Sequence, residues 1–266
     1  MIIKAHTSHT RPQSEFISDL YIEHGPRDLL GRFFLLANKA VADRGIFLEF
    51  SSMRELLRVN QANADSWPPL FPAFNPEFCE LNEDNSFCVV GRDENGDIVA
   101  TQAGRLFDWR NSSFAEAAGN LTLLYDDPAK SALPGEAWTA TAPMAADLHG
   151  MIAFTGAVWY HPKVRGRGLA ALVPRLARGM ALARWNVDAT VVMMSKLNHS
   201  KGLFKRTGHV NYQDGVQARG SVYGDVDHLL FWMKRTDILQ EISKFLTAES
   251  ERRAASDGNA QDASAG

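Results

Sequence analysis

The clearest indication of the fold comes from residues 151–194, MIAFTGAVWYHPKVRGRGLAALVPRLARGMALARWNVDATVVMM. An apolar segment (151–160) is followed by a turn with two glycines and several basic residues, by a segment rich in Ala, Leu and Arg to about residue 184, and by a second apolar segment (189–194). This order predicts a strand, a turn, a helix and a second strand, which is a βαβ unit. A helix N-terminus carries about four N–H groups without intrahelical partners and the positive end of the helix dipole. The turn is therefore suited to bind a phosphate group.

The spacing within the turn excludes two common phosphate-binding motifs. The dinucleotide motif G-x-G-x-x-G lacks its third glycine, because Ala171 stands at that position, and no G-x-x-x-x-G-K-[ST] is present. What stands there instead is R-x-x-G-x-A, formed by Arg165, Gly168 and Ala170 after a predicted strand and His161-Pro162.

These residues resemble the acyl-CoA-binding signature of the GNAT superfamily of N-acyltransferases, which is written [QR]-x-x-G-x-[GA]. The similarity continues through the strand at 189–194, Asn198 and the sequence LFKRTGH at 203–209, which stands in the place of the family's L-Y-E-K-x-G-F. The resemblance implies a GNAT-like α/β (α+β) fold, in which a central mixed, mostly antiparallel sheet is flanked by helices. It also implies acetyl-CoA or another acyl-CoA as co-substrate, with its pantetheine arm paired to the fourth strand like an added strand.

The residues that the resemblance assigns to acyl-CoA are the end of the fourth strand, the glycine turn and two positions downstream. They are Val158, Trp159, Tyr160, Arg165, Gly166, Arg167, Gly168, Leu169, Ala170, Ala171, Asn198 and Phe204. The pyrophosphate is expected on the backbone N–H groups from Gly166 to Ala171, which agrees with the general ability of helix starts to bind anions. Pro174 conflicts with a helix that begins at the motif, since a proline inside a helix costs about 3 kcal/mol. Either the helix begins later or it is kinked.

The catalytic residues are left open by the sequence. Many family members use a tyrosine as the acid that protonates the leaving thiolate, but Phe204 stands at that position. Weak candidates for acid or base are Ser195, Tyr212, His161 and Glu49, and water can also carry the proton. No carboxylate occurs within residues 151–161, and the eight histidines are scattered without metal-ligand spacing.

The remaining chain predicts a single GNAT-like domain over residues 1–247, followed by a disordered tail at 248–266. Helices are expected at 27–41, 53–60, 200–207 and 237–246, and the Asn-Gly pair at residue 95 predicts a hairpin of two strands at 86–92 and 97–107. A long insertion (108–150) separates the third and fourth strands, with a strand or short helix at 121–125. We expect the insertion to be a lid or binding loop, or alternatively a decoration that covers a sheet edge or forms a dimer.

Residues 63–82 are expected to form a loop, and its aromatic, proline-rich part at 67–78 forms the acceptor cleft with the insertion in the leading interpretation. Ordinary loop packing is the more common reason for such aromatic residues. Two further strands, expected at 209–218 and 226–234, complete the sheet.

Composition narrows the function classes. A net charge of −3 and the absence of a signal peptide or a long apolar run predict a soluble, cytoplasmic protein that binds neither nucleic acid nor membrane. The leading interpretation is an acyl-CoA-dependent N-acetyltransferase that acts on a primary amine of a small molecule or on a free amino group, by direct attack in a ternary complex. The alternatives are a non-catalytic GNAT-like sensor of acyl-CoA and a nucleotide-binding βαβ protein. A homodimer is left open.

Overall fold

A computed structural model describes residues 15–200, 202 and 204–264, and all statements below concern these residues. Their strands are β1 (Phe47–Ser51), β2 (Ser86–Arg92), β3 (Ile98–Trp109), β4 (Ala137–Ala140), β5 (Gly150–Tyr160), β6 (Ala189–Ser195), β7 (Asn211–Ser221) and β8 (Gly224–Lys234). Their helices are α1 (Arg27–Ala42), α2 (Met53–Ala62), α3 (Phe114–Gly119), α4 (Pro128–Ser131), α5 (Pro143–Asp147), α6 (Val173–Trp185), α7 (Lys196–Ser200), α8 (Phe204–Thr207) and α9 (Arg235–Ser264). None of these helices is long and apolar enough to cross a membrane.

The strands form one mixed sheet in the order β1-β2-β3-β5-β6-β8-β7-β4. Every neighbouring pair is antiparallel except β5 and β6, which are parallel and are connected through α6. The predicted GNAT-like α/β fold, with a mostly antiparallel sheet flanked by helices, is confirmed. A doubly wound nucleotide-binding fold needs several neighbouring parallel strands, so the third interpretation is dropped.

The two faces of the sheet carry different layers. On one face, α1, α6 and α9 pack through an apolar cluster that includes Phe33, Met180 and Ile242. On the other face, α2, the loop at 63–82 and the insertion pack through a second cluster that includes Phe74 and Trp138. We call the face of the sheet that is covered by α2, this loop and the insertion the insertion face.

The insertion covers an edge of the sheet, as one of the two alternatives predicted. Its strand β4 pairs with β7, with Ala137 opposite Arg219 and Ala140 opposite Val216. The segment 121–125 forms turns rather than the expected strand or short helix, although Leu123 and Leu124 are fully buried. Leu121 has a φ of 64°, which interrupts any regular element at that point.

Several helix boundaries differ from the predicted ones. Helix α6 begins at Val173, so Pro174 stands in its first turn, where a proline removes no intrahelical hydrogen bond. The single helix predicted at 200–207 is instead two short helices, α7 and α8, separated by Gly202 with a φ of 74°.

Helix α9 runs to Ser264, whereas the sequence predicts a helix end at residue 246 and a disordered tail from 248. That segment contains no proline and is rich in good helix formers such as Ala and Glu. The division into a domain of residues 1–247 and a tail stays a prediction.

Candidate functional site

A gap opens in the middle of the sheet between β5 and β6. The two strands pair only where residues 152–154 lie opposite residues 189–191. Beyond that point, residues 155–160 of β5 and 192–195 of β6 continue without pairing to each other, and Val158 is 41% exposed. The unpaired part of β5 therefore offers backbone N–H and C=O groups to a ligand that enters the gap.

A β-bulge bends β5 at the gap. Thr101 of β3 lies opposite Trp159, whereas Ala103, two residues on, lies opposite Gly156, so β5 carries one extra residue. Ala157 within the bulge has a φ of 51°. The Thr101 hydroxyl donates to the Ala157 carbonyl at 2.8 Å, and a neighbouring glutamine of β3 donates to the Gly156 carbonyl at 3.0 Å. Bulges bend strands and are common beside active sites. Buried side chains of β3 thus hold the bulge that turns β5 away from β6.

The glycine turn after β5 presents four backbone donors that have no acceptor among the described residues. They are the N–H groups of Gly166, Gly168, Leu169 and Ala170, and we call them the cradle. Gly166 and Gly168 have φ values of 84° and 78°, a conformation that favours glycine. The N–H group of Ala171 donates instead to the Gly168 carbonyl at 3.0 Å, so it does not belong to the donor set. Several converging N–H donors before a helix suit a diphosphate.

Arginine side chains surround the cradle. Arg165 donates to the Tyr160 carbonyl at 2.9 Å, and Arg167 donates to the Arg44 carbonyl at 3.2 Å. Arg44 in turn donates to the Arg167 carbonyl at 2.8 Å and so fixes the turn from the end of α1. In the part of the chain that the structure describes, these arginines have no carboxylate within ion-pair distance, whereas Lys163 is paired with two aspartates of the β2–β3 hairpin. The sequence gives no signal for Arg44, which lies more than a hundred residues upstream.

Two of the predicted site residues meet at the end of β6. The Ser195 hydroxyl accepts the N–H group of Asn198 at 3.3 Å and so lies at the start of α7, beside the open end of the gap. Tyr212 lies on β7, two strands beyond β6, and its ring stacks on Phe231 at 5.3 Å. The backbone of Phe204 begins α8, while its side chain lies outside the described residues.

His161 and Glu49 each have a polar partner that is not part of the cradle. The His161 ring accepts the N–H group of Lys163 at 3.2 Å and caps the turn. Glu49 pairs with Arg92 at 2.8 Å on the edge strand β1, three strands away from β5. The role of Glu49 as a weak candidate for the base stays a prediction, although its carboxylate is already paired with a guanidinium on the edge of the sheet.

The aromatic loop at 63–82 packs on the insertion face next to the gap. Trp67 stacks on Trp159 at 5.4 Å with an angle of 7° between the rings. Phe71 lies 5.8 Å from Trp138 of the insertion and 6.3 Å from Tyr223 at the tip of the β7–β8 hairpin. The Tyr223 hydroxyl donates to a carbonyl of the loop at 2.9 Å. The loop, the insertion and the hairpin tip thus meet on one side of the gap.

His228 is a residue of this face that the sequence analysis missed. It lies on β8 opposite Ser195, and its ring stacks on Trp138 at 5.6 Å. Its Nδ1 atom is buried without a hydrogen-bond partner among the described residues. Burial lowers the pKa of His228 to about 4, so the ring is neutral at neutral pH. A single histidine within an apolar strand carries no sequence signal that separates it from a core residue. In the same described part of the chain, no group of three or more His, Cys, Asp or Glu side chains is arranged to hold a metal ion.

The protein is similar to known proteins in structure only, not in sequence. No family model and no curated protein matches the sequence. Among solved structures, a chimera of the spermidine N-acetyltransferase SpeG from Vibrio cholerae and hSSAT is similar with a TM-score of 0.44 and 9% identity, over 74% of this chain and 99% of that chain. The aminoglycoside acetyltransferase AAC(6')-Ib, solved with coenzyme A and kanamycin, is similar with a TM-score of 0.41 and 11% identity, over 73% and 98% of the two chains. Because both TM-scores lie below 0.5, the functional argument rests on the gap, the bulge and the cradle.

Proposed function

We propose that the protein belongs to the GNAT superfamily and transfers an acyl group, acetyl from acetyl-CoA, to a primary amine of a small molecule or to a free amino group. The observation that carries this proposal is the unpaired, bulged end of β5 beside the cradle. A ligand with amide groups at one end and a diphosphate at the other matches both parts.

In this proposal, the pantetheine arm pairs with the backbone of Val158, Trp159 and Tyr160 in the gap. The diphosphate accepts hydrogen bonds from the cradle, and Arg165 and Arg167 supply positive charge to the phosphates. Of the twelve residues predicted for the cofactor, Ala171 contributes no free N–H group, and its role is limited to the backbone next to the cradle.

The chemical step needs little acid–base help from the protein. The amine nitrogen attacks the thioester carbonyl, the C–S bond breaks, and the proton lost by the amine is finally taken up by the leaving thiolate. A thiol with a pKa of about 8.5 is a good leaving group, so water or the Ser195 hydroxyl at the end of the gap is sufficient to deliver that proton. The phenylalanine in place of the usual tyrosine is therefore compatible with transfer.

The proposal is tested by thermal unfolding with acetyl-CoA and by thiol release with a panel of primary amines. A ligand that binds only the folded state raises the melting temperature, so we expect a shift with acetyl-CoA and release of CoA with at least one amine. No shift with acetyl-CoA, CoA or longer acyl-CoAs would refute acyl-CoA binding altogether. Binding without thiol release across the panel would instead support the second candidate, a sensor of acyl-CoA, which Phe204 motivates.

The compartment and the acceptor belong to the same proposal. Two buried, free thiols at Cys79 and Cys88 fit a reducing cytoplasm.

The acceptor is proposed to reach the thioester from the insertion face, where the loop at 63–82 meets the insertion.

A further inference from the structure

A buried polar cluster lies directly behind the cradle, where the starts of α6 and α9 meet the end of α8. Arg175 of α6 binds the Glu241 carboxylate of α9 through Nε at 2.5 Å. The same guanidinium donates to the Arg206 carbonyl at the end of α8 at 3.0 Å, and to the carbonyl of Ala171, the residue after the cradle. One side chain therefore joins the glycine turn, α8 and α9.

A second arginine, one turn further along α6, completes the cluster. Arg178 is 1% exposed, donates to the Thr207 carbonyl at 2.7 Å and lies 3.8 Å from Glu241. The Thr207 hydroxyl lies 2.8 Å from Nδ1 of His209. Burial and the two nearby guanidiniums hold the pKa of His209 well below its ordinary value, so this ring is neutral. With two guanidiniums and one carboxylate, the cluster carries one positive charge in excess.

The position of this excess charge is unfavourable for the fold alone. Arg175 and Arg178 stand in the first two turns of α6, at the positive end of its dipole, where acidic residues are stabilising and basic residues are not. Burying a charge that is not fully paired adds a further cost. An anion bound in the adjoining cradle offsets both effects, because it brings negative charge to the same end of the helix.

We propose that Arg175 is a positioning residue for the diphosphate of acyl-CoA: it holds the Ala171 carbonyl and the end of α8 in place, and it places positive charge behind the cradle. This inference rests on the proposed function. The contact between Arg175 and Glu241 also explains why residue 208 is a glycine. Gly208 has a φ of 76°, and a Cβ atom there would lie 2.6 Å from Glu241 and 2.8 Å from Arg175.

Arg235 offers a matched control, because it also binds two backbone carbonyls and a carboxylate, at the opposite end of α6. It donates to the Asn186 and Val187 carbonyls at 2.6 and 3.1 Å and lies 3.5 Å from the Asp188 carboxylate. At 1.5 Å per residue this end of α6 is about 17 Å from Arg175. A substitution there changes the anchoring of α6 to α9 without touching the cradle.

The experiment compares Arg175→Lys with Arg235→Lys in the full chain, by calorimetric titration with acetyl-CoA and by steady-state kinetics. We expect Arg175→Lys to raise the Kd and the KM for acetyl-CoA about tenfold, because the loss of the Ala171 and Arg206 contacts displaces the cradle, and to leave the KM for the amine within about twofold. Arg235→Lys should lower the melting temperature similarly and leave the Kd unchanged. Equal Kd values for both variants would overturn the role of Arg175.

A second variant covers the case in which Arg175→Lys does not fold. Glu241→Gln keeps an acceptor for Arg175 but raises the excess charge, so it should bind acetyl-CoA at least as tightly as the wild type and with a steeper dependence on salt. Weaker binding without a change in salt dependence would contradict the electrostatic argument. If the wild type itself binds no acyl-CoA, the proposed function fails, whereas a Kd that Arg175→Lys leaves unchanged refutes the inference alone.

Discussion

Gly166→Ala tests whether the cradle binds phosphate. The backbone at Gly166 has a φ of 84°, and an ideal Cβ atom there meets no atom of the described residues within 4 Å. Alanine therefore fits the free protein, and its cost is the left-handed conformation, about 1–2 kcal/mol. For a chain of this size, that cost corresponds to a fall in melting temperature of about 2–8 °C.

The effect on the ligand is separate from the effect on stability. The new methyl group projects into the open space beside the cradle and weakens one hydrogen bond to the diphosphate, which we take as a tenfold loss of affinity, about 1.4 kcal/mol. At acetyl-CoA concentrations of about 100 times the wild-type Kd, binding stabilises the wild type by about 2.7 kcal/mol and the variant by about 1.4 kcal/mol. The shift produced by acetyl-CoA should thus fall by about half.

Gly96→Ala is the control, and differential scanning fluorimetry is the assay. Gly96 lies in the β2–β3 hairpin turn with a φ of 85°, and a Cβ atom there also meets nothing within 4 Å. Both variants should lose similar stability without ligand, but only Gly166→Ala should lose part of the acetyl-CoA shift. Equal shifts in the two variants would refute the assignment of the cradle to phosphate.

Three further predictions concern the bulge, the acid stability and the thiols. Thr101→Val leaves the half-buried Ala157 carbonyl without its 2.8 Å donor, so urea unfolding should show a loss of about 1 kcal/mol, and the Kd for acetyl-CoA should rise; an unchanged Kd would separate the bulge from binding. The pKa of His228 is lowered to about 4 in the folded protein and is near 6.5 in the unfolded chain, so the unfolded state binds more protons between these values. The contribution of the neutral His228 ring to stability is therefore lost as the pH falls from about 6.5 to 4. His228→Phe should lose less stability than the wild type over that range, and an equal pH dependence in urea unfolding would count against a neutral, buried ring. Burial raises the pKa of Cys79 and of Cys88, so both thiols should react with a thiol reagent at pH 8 only after unfolding, and rapid reaction of the native protein would contradict their burial.

The order of strand, glycine turn and helix could be predicted because these elements are local in sequence. The end of β5, the glycine turn and the start of α6 follow one another within about 20 residues. The direction of the N–H groups in the turn depends on a backbone geometry that Gly166 and Gly168 indicate in the sequence. The same locality explains why the Asn-Gly hairpin was predicted correctly. The later start of α6 was also one of the two alternatives that Pro174 left open.

The other contacts around the gap join residues that are distant in sequence, and no local pattern indicates that these residues lie together. The bulge is held by Thr101 from another strand, the turn is fixed by Arg44, and His228 lies opposite Ser195 only because β8 inserts between β6 and β7. The sequence alone does not predict the strand order, which places Glu49 on the edge strand β1. Pair contacts of this kind follow from topology rather than from local pattern.

If the protein is the proposed acyltransferase, the path of the insertion limits how an acceptor can approach the thioester. The chain leaves β3 on one side of the gap, adds β4 to β7 on the far side, and returns to β5 on the first side. It therefore crosses the insertion face and ties together two halves of the sheet that otherwise pair only over residues 152–154 and 189–191. Since β4 lies level with the open end of the gap, where Trp138 stacks on His228, that crossing forms one wall beside the gap. In the proposed transferase, an acceptor on this face passes between the insertion and the loop at 63–82, where Phe71 contacts Trp138 and Tyr223.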